Sequence, residues 1–280
     1  MNKKYNMMFF FLILVTFFSN DVKVFANGKP PAIVSQNAII MDGNTGKILY
    51  SKNINGTFPP ASTTKLMTAL LAIEKCKLDD LVAIGKNPPL VDGSKAGIKE
   101  KELVTVKDML YGLLFVSGND CANALAEHMA GSVENFAKMM NKRAKELGLT
   151  NTSFVNPSGL YHPNQKSTVK DLALIMRELV KYKEYLQIAT DNRAYYITPK
   201  NCSGAKHPIC NQNKMVWKGG KYYFDGIEGG KTGYTIQSKF SYVVSAKRNG
   251  KRLIVALHSS TNSHYTDAIK LLNYGFSNFK

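Results

Sequence analysis

Two β-type segments stand at opposite ends of this 280-residue chain, with helical patterns between them. Ala38-Ile39-Ile40-Met41, the turn Asp42-Gly43-Asn44-Thr45-Gly46 and Lys47-Ile48-Leu49-Tyr50 read as strand, turn, strand. Near the other end, Tyr242-Val243-Val244-Ser245-Ala246, Asn249-Gly250 and Leu253-Ile254-Val255-Ala256-Leu257 read as a hairpin. Sheet at both ends requires the ends to meet in one layer, so the expected class is α+β: an antiparallel sheet formed by both chain ends, flanked by helices, with a helical subdomain.

The middle of the chain supplies those helices. After Pro59-Pro60, the stretch Ser62 to Cys76 carries Leu66, Met67, Leu70, Leu71 and Ile73 around most of its circumference, the mark of a buried helix. Thr105 caps a helix running to Phe115, another begins near Asn119 and stops at Gly131, and Ser132 caps a third that stops at Gly148. Thr168 followed by Asp171 opens a helix to about Val180. Shorter, β-rich pieces follow, and Thr266 to Tyr274 reads as a closing helix. No repeat or low-complexity linker divides this pattern, so residues 27–280 are expected to form one catalytic domain.

Residues 1–26 read as an export signal, with Lys3 and Lys4 at the start, an apolar run from Met7 to Ser19, and Val24-Phe25-Ala26 before the cleavage point. That run is shorter than the roughly 20 residues of a bilayer span. The chain is thus expected to act outside the cytoplasm, at the wall or the outer face of the membrane. The signal holds three Lys and one Asp, so the remainder keeps a formal charge of +15 of the chain's +17. An anionic wall polymer or membrane surface is the neighbour such a charge would meet there; nucleic acid is excluded by export and by the lack of an arginine-rich stripe. The four cysteines form neither C-x-x-C nor a metal-spaced cluster with histidine, so no metal and no cofactor are expected. Cys202 and Cys210 bracket a short segment that an exported chain could close as a disulfide, while Cys76 and Cys121 fall in helical core patterns.

Three short strings carry chemistry: Ser62-Thr63-Thr64-Lys65, Ser117-Gly118-Asn119 and Lys231-Thr232-Gly233. Ser-x-x-Lys recurs at Ser167/Lys170, Ser203/Lys206 and Ser277/Lys280, so spacing alone selects nothing. Context selects Ser62, because only there does the pair open a buried helix, with the amine one turn from the hydroxyl. A serine needs a base near neutrality, and a lysine serves only if burial or a neighbouring cation lowers its pKa. Lys65 on a buried helix, with Lys231 brought close, has both causes available.

These strings resemble those of the penicillin-recognising serine enzymes, and within them the low-molecular-mass penicillin-binding proteins that act as D-alanyl-D-alanine carboxypeptidases. The likeness extends through Pro60–Thr68, Ser117–Asp120, Asn156-Pro157-Ser158-Gly159-Leu160 and Gly230–Thr235, in the family's order from about Ala38 to Phe276. The resemblance implies a β-lactamase/transpeptidase-like fold. It makes Ser62 the acylated nucleophile, Lys65 its base and Ser117 a proton relay to the leaving D-alanine. It also gives Asn119 a bond to the substrate amide, Lys231 and Thr232 the terminal carboxylate, and Gly233-Tyr234 the strand beside the oxyanion. The implied partners are peptidoglycan stem peptides and, as covalent inhibitors, β-lactams. A class A β-lactamase is disfavoured because no Glu-x-x-x-Asn occurs in the chain; transpeptidation remains the alternative on the same fold.

Three departures qualify the likeness. Many relatives add a β-rich domain and an anchoring helix after Tyr274-Gly275-Phe276, and with Lys280 as the last residue of this sequence neither is expected here. Ser263-His264-Tyr265 stands where many offer an arginine to the carboxylate, so acid affinity is expected to depend on pH near neutrality. Cys121 replaces a small apolar residue and is expected to serve packing.

Overall fold

The computed structural model describes residues 28–279, so the export signal and the chain start near Asn27 lie outside the described residues. The N-terminal ribbon forms β1 (Asn37–Asp42) and β2 (Ile48–Lys52). The buried helix α1 (Lys65–Lys75) follows, then a small ribbon of β3 (Leu81–Ala83) and β4 (Leu103–Thr105). The middle third is α2 (Val106–Phe115), α3 (Asn119–Ala130) and α4 (Val133–Glu146), followed by α5 (Val169–Leu179) and α6 (Lys183–Thr190). A second small ribbon, β5 (Tyr195–Ile197) and β6 (His207–Ile209), precedes the long strands β7 (Ile227–Thr235), β8 (Lys239–Arg248) and β9 (Lys251–Ser260), and α7 (His264–Asn278) closes the fold.

The chain ends do meet. The five-stranded sheet has the order β2-β1-β9-β8-β7, antiparallel at each pairing, with Ile39 opposite Ala256 and Met41 opposite Ile254. Alternation along the strands makes two cores. Ile39, Met41, Val243, Ile254 and Ala256 face the helical layer, with Leu66, Leu70, Leu172 and Met176. Ala38, Ile40, Val244, Val255 and Leu257 face Leu271 and Leu272 of α7.

The side-chain caps expected at Thr105, Ser132 and Thr168 are present, each hydroxyl accepting from the backbone N–H three residues on. α6 was not expected: its N-cap is Tyr182, whose side chain caps nothing, and its eight residues give little period to read. The Cys202–Cys210 disulfide is not formed, and all four cysteines are free. Register is the reason. Ile197 pairs with His207 and Tyr195 with Ile209, so Cys202 sits in the loop at one end of this ribbon and Cys210 leaves at the other.

Two buried histidines couple the fold to pH. His258 stacks on Phe58 at 3.5 Å, and His264 stacks on Phe240 at 4.8 Å. Burial pulls both from 6.5 to about 4. Between those values the unfolded chain takes up protons that the folded chain refuses, so stability is complete above pH 6.5 and is lost as pH falls toward 4. The melting temperature is expected to drop by several degrees from pH 7 to 4.5, and a His264→Phe variant should show a shallower drop in the same titration.

Candidate active site

Ser62 lies on a 3₁₀ turn, Ala61–Thr64, and the α-helix begins only at Lys65. The turn is tight because Thr63 donates to the Pro60 carbonyl with both its N–H (3.3 Å) and its hydroxyl (2.6 Å). The next helical turn brings Lys65 Nζ within 3.0 Å of Ser62 Oγ. Lys65 is fully buried, and Nζ also reaches Asn119 Oδ1 at 2.7 Å and the Ser158 carbonyl at 2.6 Å. Burial and then the charge of Lys231 hold its pKa well below 10.5. A neutral amine has two N–H groups and one lone pair. The two carbonyl oxygens can only accept, so they take the two hydrogens, and the lone pair is left for the Ser62 hydroxyl, which can donate.

The family-like string Asn156–Leu160, to which the sequence assigned no chemical role, forms the floor beneath this pair. Asn156 Oδ1 accepts from the Ser158 and Gly159 N–H groups, and Thr68 ties α1 to the Pro157 carbonyl at 2.7 Å. The Asn-Pro-Ser-Gly composition is a turn signal, and that was the clue available. Gly159 has φ +87°, and a Cβ there would lie 1.8 Å from the Ala61 oxygen and 3.0 Å from Ser62 N. From the other side, a Cβ on Gly233 would lie 3.0 Å from Ser62 N. Glycine at both positions leaves the Ser62 N–H approachable.

Asn119, at the start of α3, spans two partners: Oδ1 accepts from Lys65, and Nδ2 donates to the Asp92 carbonyl at 2.6 Å. Beside it Asp120, also given no role from sequence, is fully buried and accepts the N–H groups of Ala96, Gly97 and Cys121. It thereby fixes the 92–97 loop against α3. Ser117 holds a left-handed backbone, φ +62°, and its Oγ has no hydrogen-bond partner. Backbone strain of this kind in a residue aimed at a cleft marks a working position.

β7 forms the opposite wall as the edge strand of the sheet. Lys231 is buried, donates to the Thr232 carbonyl at 3.0 Å, and is brought to about 7 by burial. Thr232, Gly233 and Tyr234 line a cleft of about 730 Å³ together with Ser62 and Ser117. All eight residues selected from sequence thus gather around one cleft, with Lys65, Asn119 and Lys231 buried behind it. His264 lines the same cleft, but burial keeps it neutral, which corrects the expected titration near neutrality.

Residues 24–261 match the family profile described as D-alanyl-D-alanine carboxypeptidase. The chain is 36% identical over 253 residues to D-alanyl-D-alanine carboxypeptidase DacF of Bacillus subtilis, covering 88% of this chain and 63% of that protein. It is 34% identical to DacC of Escherichia coli, covering 97% and 68% respectively. This chain therefore spans less than two thirds of the length of DacF. A solved D-alanyl-D-alanine carboxypeptidase from Mycobacterium tuberculosis superposes with a TM-score of 0.81 at 31% identity, over 89% of this chain and 94% of that one. A Streptomyces DD-transpeptidase does so with 0.81 at 29%, over 89% and 100%. With its three motifs gathered at one cleft and its length matched from residue 24 to 261, this chain belongs to the D-alanyl-D-alanine carboxypeptidase family.

Proposed function

We propose that this protein is a serine D-alanyl-D-alanine carboxypeptidase that removes the terminal D-alanine of peptidoglycan stem peptides outside the cytoplasm. The observation that carries the chemistry is the buried Lys65 amine 3.0 Å from Ser62 Oγ, with its other two contacts to oxygens that only accept. Ser62 Oγ attacks the carbonyl of the penultimate D-alanine while Lys65 takes the hydroxyl proton. The oxyanion sits against the N–H groups of Ser62 and Tyr234, and Thr232 holds the terminal carboxylate. The Ser117 hydroxyl, without a hydrogen-bond partner of its own, gives its proton to the leaving nitrogen and is restored by the proton that Lys65 took from Ser62, so the C–N bond breaks and D-alanine departs with a neutral amine and its carboxylate. Water then repeats the sequence on the ester, with Lys65 again as base.

A β-lactam presents the same carbonyl and carboxylate, but its leaving nitrogen stays tethered. A long-lived ester on Ser62 is therefore expected after benzylpenicillin, seen by mass spectrometry of the intact protein beside D-alanine release from a diacyl-D-Ala-D-Ala peptide. Rapid loss of the adduct would mean a β-lactamase, and no adduct would sink the acyl-enzyme reading. The likeness to the Streptomyces DD-transpeptidase supports a second reading, in which an amine replaces water. Adding glycine to the peptide assay separates the two, because transfer would give a glycine-capped product. The apolar run from Met7 to Ser19 behind two lysines supports export, and loss of residues 1–26 from protein recovered outside the cell would test it.

A further inference from the structure

The cleft has one wall that the acyl-transfer chemistry leaves without a task. Residues 211–214 alternate inward and outward. Asn211 and Asn213 are 4% and 6% exposed. Asn211 Nδ2 donates to the carbonyls of Ala189 and Asp191, and its Oδ1 accepts from Asn213 N. Asn213 Oδ1 accepts from Met215 N and from the Tyr242 hydroxyl. Trp217 Nε1 closes the loop on the Asn211 carbonyl at 2.7 Å. The remaining pair, Gln212 and Lys214, is exposed and lines the cleft. Lys214 is held at its backbone, where its N–H donates to the Tyr265 hydroxyl at 3.3 Å. This lysine stands on a built support.

Among the described residues that line the cleft, Lys214 is also the only Asp, Glu, Lys or Arg. Among the described residues its Nζ has neither hydrogen bond nor ion pair, and it lies 5.9 Å from the centroid of the Tyr222 ring. From there a run of rings leads along the wall: Tyr222 to Tyr265 at 5.1 Å, Tyr265 to His264 at 4.4 Å, His264 to Phe240 at 4.8 Å, and Phe240 to Tyr234 at 4.6 Å. The run ends two residues from Thr232. Ring walls screen charge less than water does, so a cation at their end acts on an anion in the cleft more strongly than on an open surface. Lys231 is buried and occupied with the Thr232 carbonyl, which leaves its charge diminished.

We infer that Lys214 determines specificity by receiving a carboxylate of the bound peptide. The inference rests on the acyl-transfer reading and adds a residue to it. Two carboxylates share the required chemistry: the C-terminal one, and one on the side chain of the residue preceding the two D-alanines. Full-length wild type and Lys214→Met are assayed on three diacyl peptides. One has a neutral side chain and a free terminus, one the same side chain and a terminal amide, and one an acidic side chain and a free terminus.

Lys214→Met is expected to raise KM about tenfold, or about 1.4 kcal/mol, with kcat nearly unchanged, wherever the relevant carboxylate is present. A rise on both free-terminus peptides but not on the amide assigns the terminus; a rise on the acidic peptide alone assigns the side chain. Lys214→Arg is expected to restore KM. Equal loss on all three peptides, including the amide that bears no carboxylate, would mean a structural role and overturn the inference, as would unchanged KM throughout. If wild type released nothing from any peptide, the acyl-transfer reading itself would fail, a result separate from these.

Discussion

Lys65→Met is expected to slow acylation of Ser62 by benzylpenicillin on the order of 10³-fold, within the range that a positioned general base contributes. Methionine keeps the length and the burial of the side chain but has no lone pair for the Ser62 proton. It also leaves Asn119 Oδ1 and the Ser158 carbonyl without their donor, so some stability is lost as well. A thermal melt separates the two effects: a folded Lys65→Met protein that acylates at the wild-type rate would remove Lys65 as the base. Ser62→Ala serves as the zero point, with no covalent adduct at any time. In wild type, acylation should fall as pH falls, because protonating Lys65 consumes the lone pair that accepts the Ser62 proton. The direction follows from burial and Lys231, which both oppose the charged amine.

The second large effect is expected at a residue that takes no part in proton or acyl transfer. Gly159→Ala places a methyl 1.8 Å from the Ala61 carbonyl oxygen and 2.3 Å from its carbon, both of them backbone atoms that no rotamer change can move. The backbone at Gly159 is left-handed as well, φ +87°. Either the floor drops or the Ala61–Thr64 turn shifts, and Ser62 moves with it. Displacements near 1 Å cost about 100-fold in rate when reacting groups must align, so acylation should fall by roughly that factor. Gly148→Ala is the control. Gly148 is also left-handed, φ +71°, but nothing lies within 4 Å of its Cβ position. Its cost is therefore only the roughly 1–2 kcal/mol of the backbone conformation, with acylation unchanged. Equal acylation rates in the two variants would show that the Gly159 contact does not position the nucleophile.

The fold was legible where period and caps were both strong. Thr105, Ser132 and Thr168 announced their helices, and the hairpin through Asn249-Gly250 announced β8 and β9. The start of α1 was misplaced because a 3₁₀ turn and an α-helix share the i to i+3 neighbourhood, and hydrophobic pattern does not distinguish them. The Cys202–Cys210 expectation failed because chain separation says nothing about register. At the site, Ser62, Lys65, Ser117, Asn119 and Lys231 through Tyr234 were legible as motifs. Ser158 and Asp120 were not, since one acts through a backbone carbonyl and the other through backbone N–H groups. Such roles leave no side-chain signature in a sequence. Lys214 was illegible for a different reason: its surroundings, Tyr222 and Tyr265, are distant in chain or separated by a turn, and one lysine among many carries no mark.

The pairing of β1 with β9 has a consequence for how the protein comes into being. Met41 cannot meet Ile254 until the more than 200 residues between them have been made, and among the described residues β9 is the strand that joins β1 and β2 to β7 and β8. Contacts so distant along the chain close late and slowly, since the entropy of the intervening loop is lost before they reward it. The face of that sheet that carries Ile39, Met41, Ile254 and Ala256 helps dry the interior around α1. A nascent chain can coil Ser62 and Lys65 into one local turn, yet the amine there is still hydrated and charged. Lys65 loses its water, and with it the preference for its proton, only when the last strand slots between the first and the eighth.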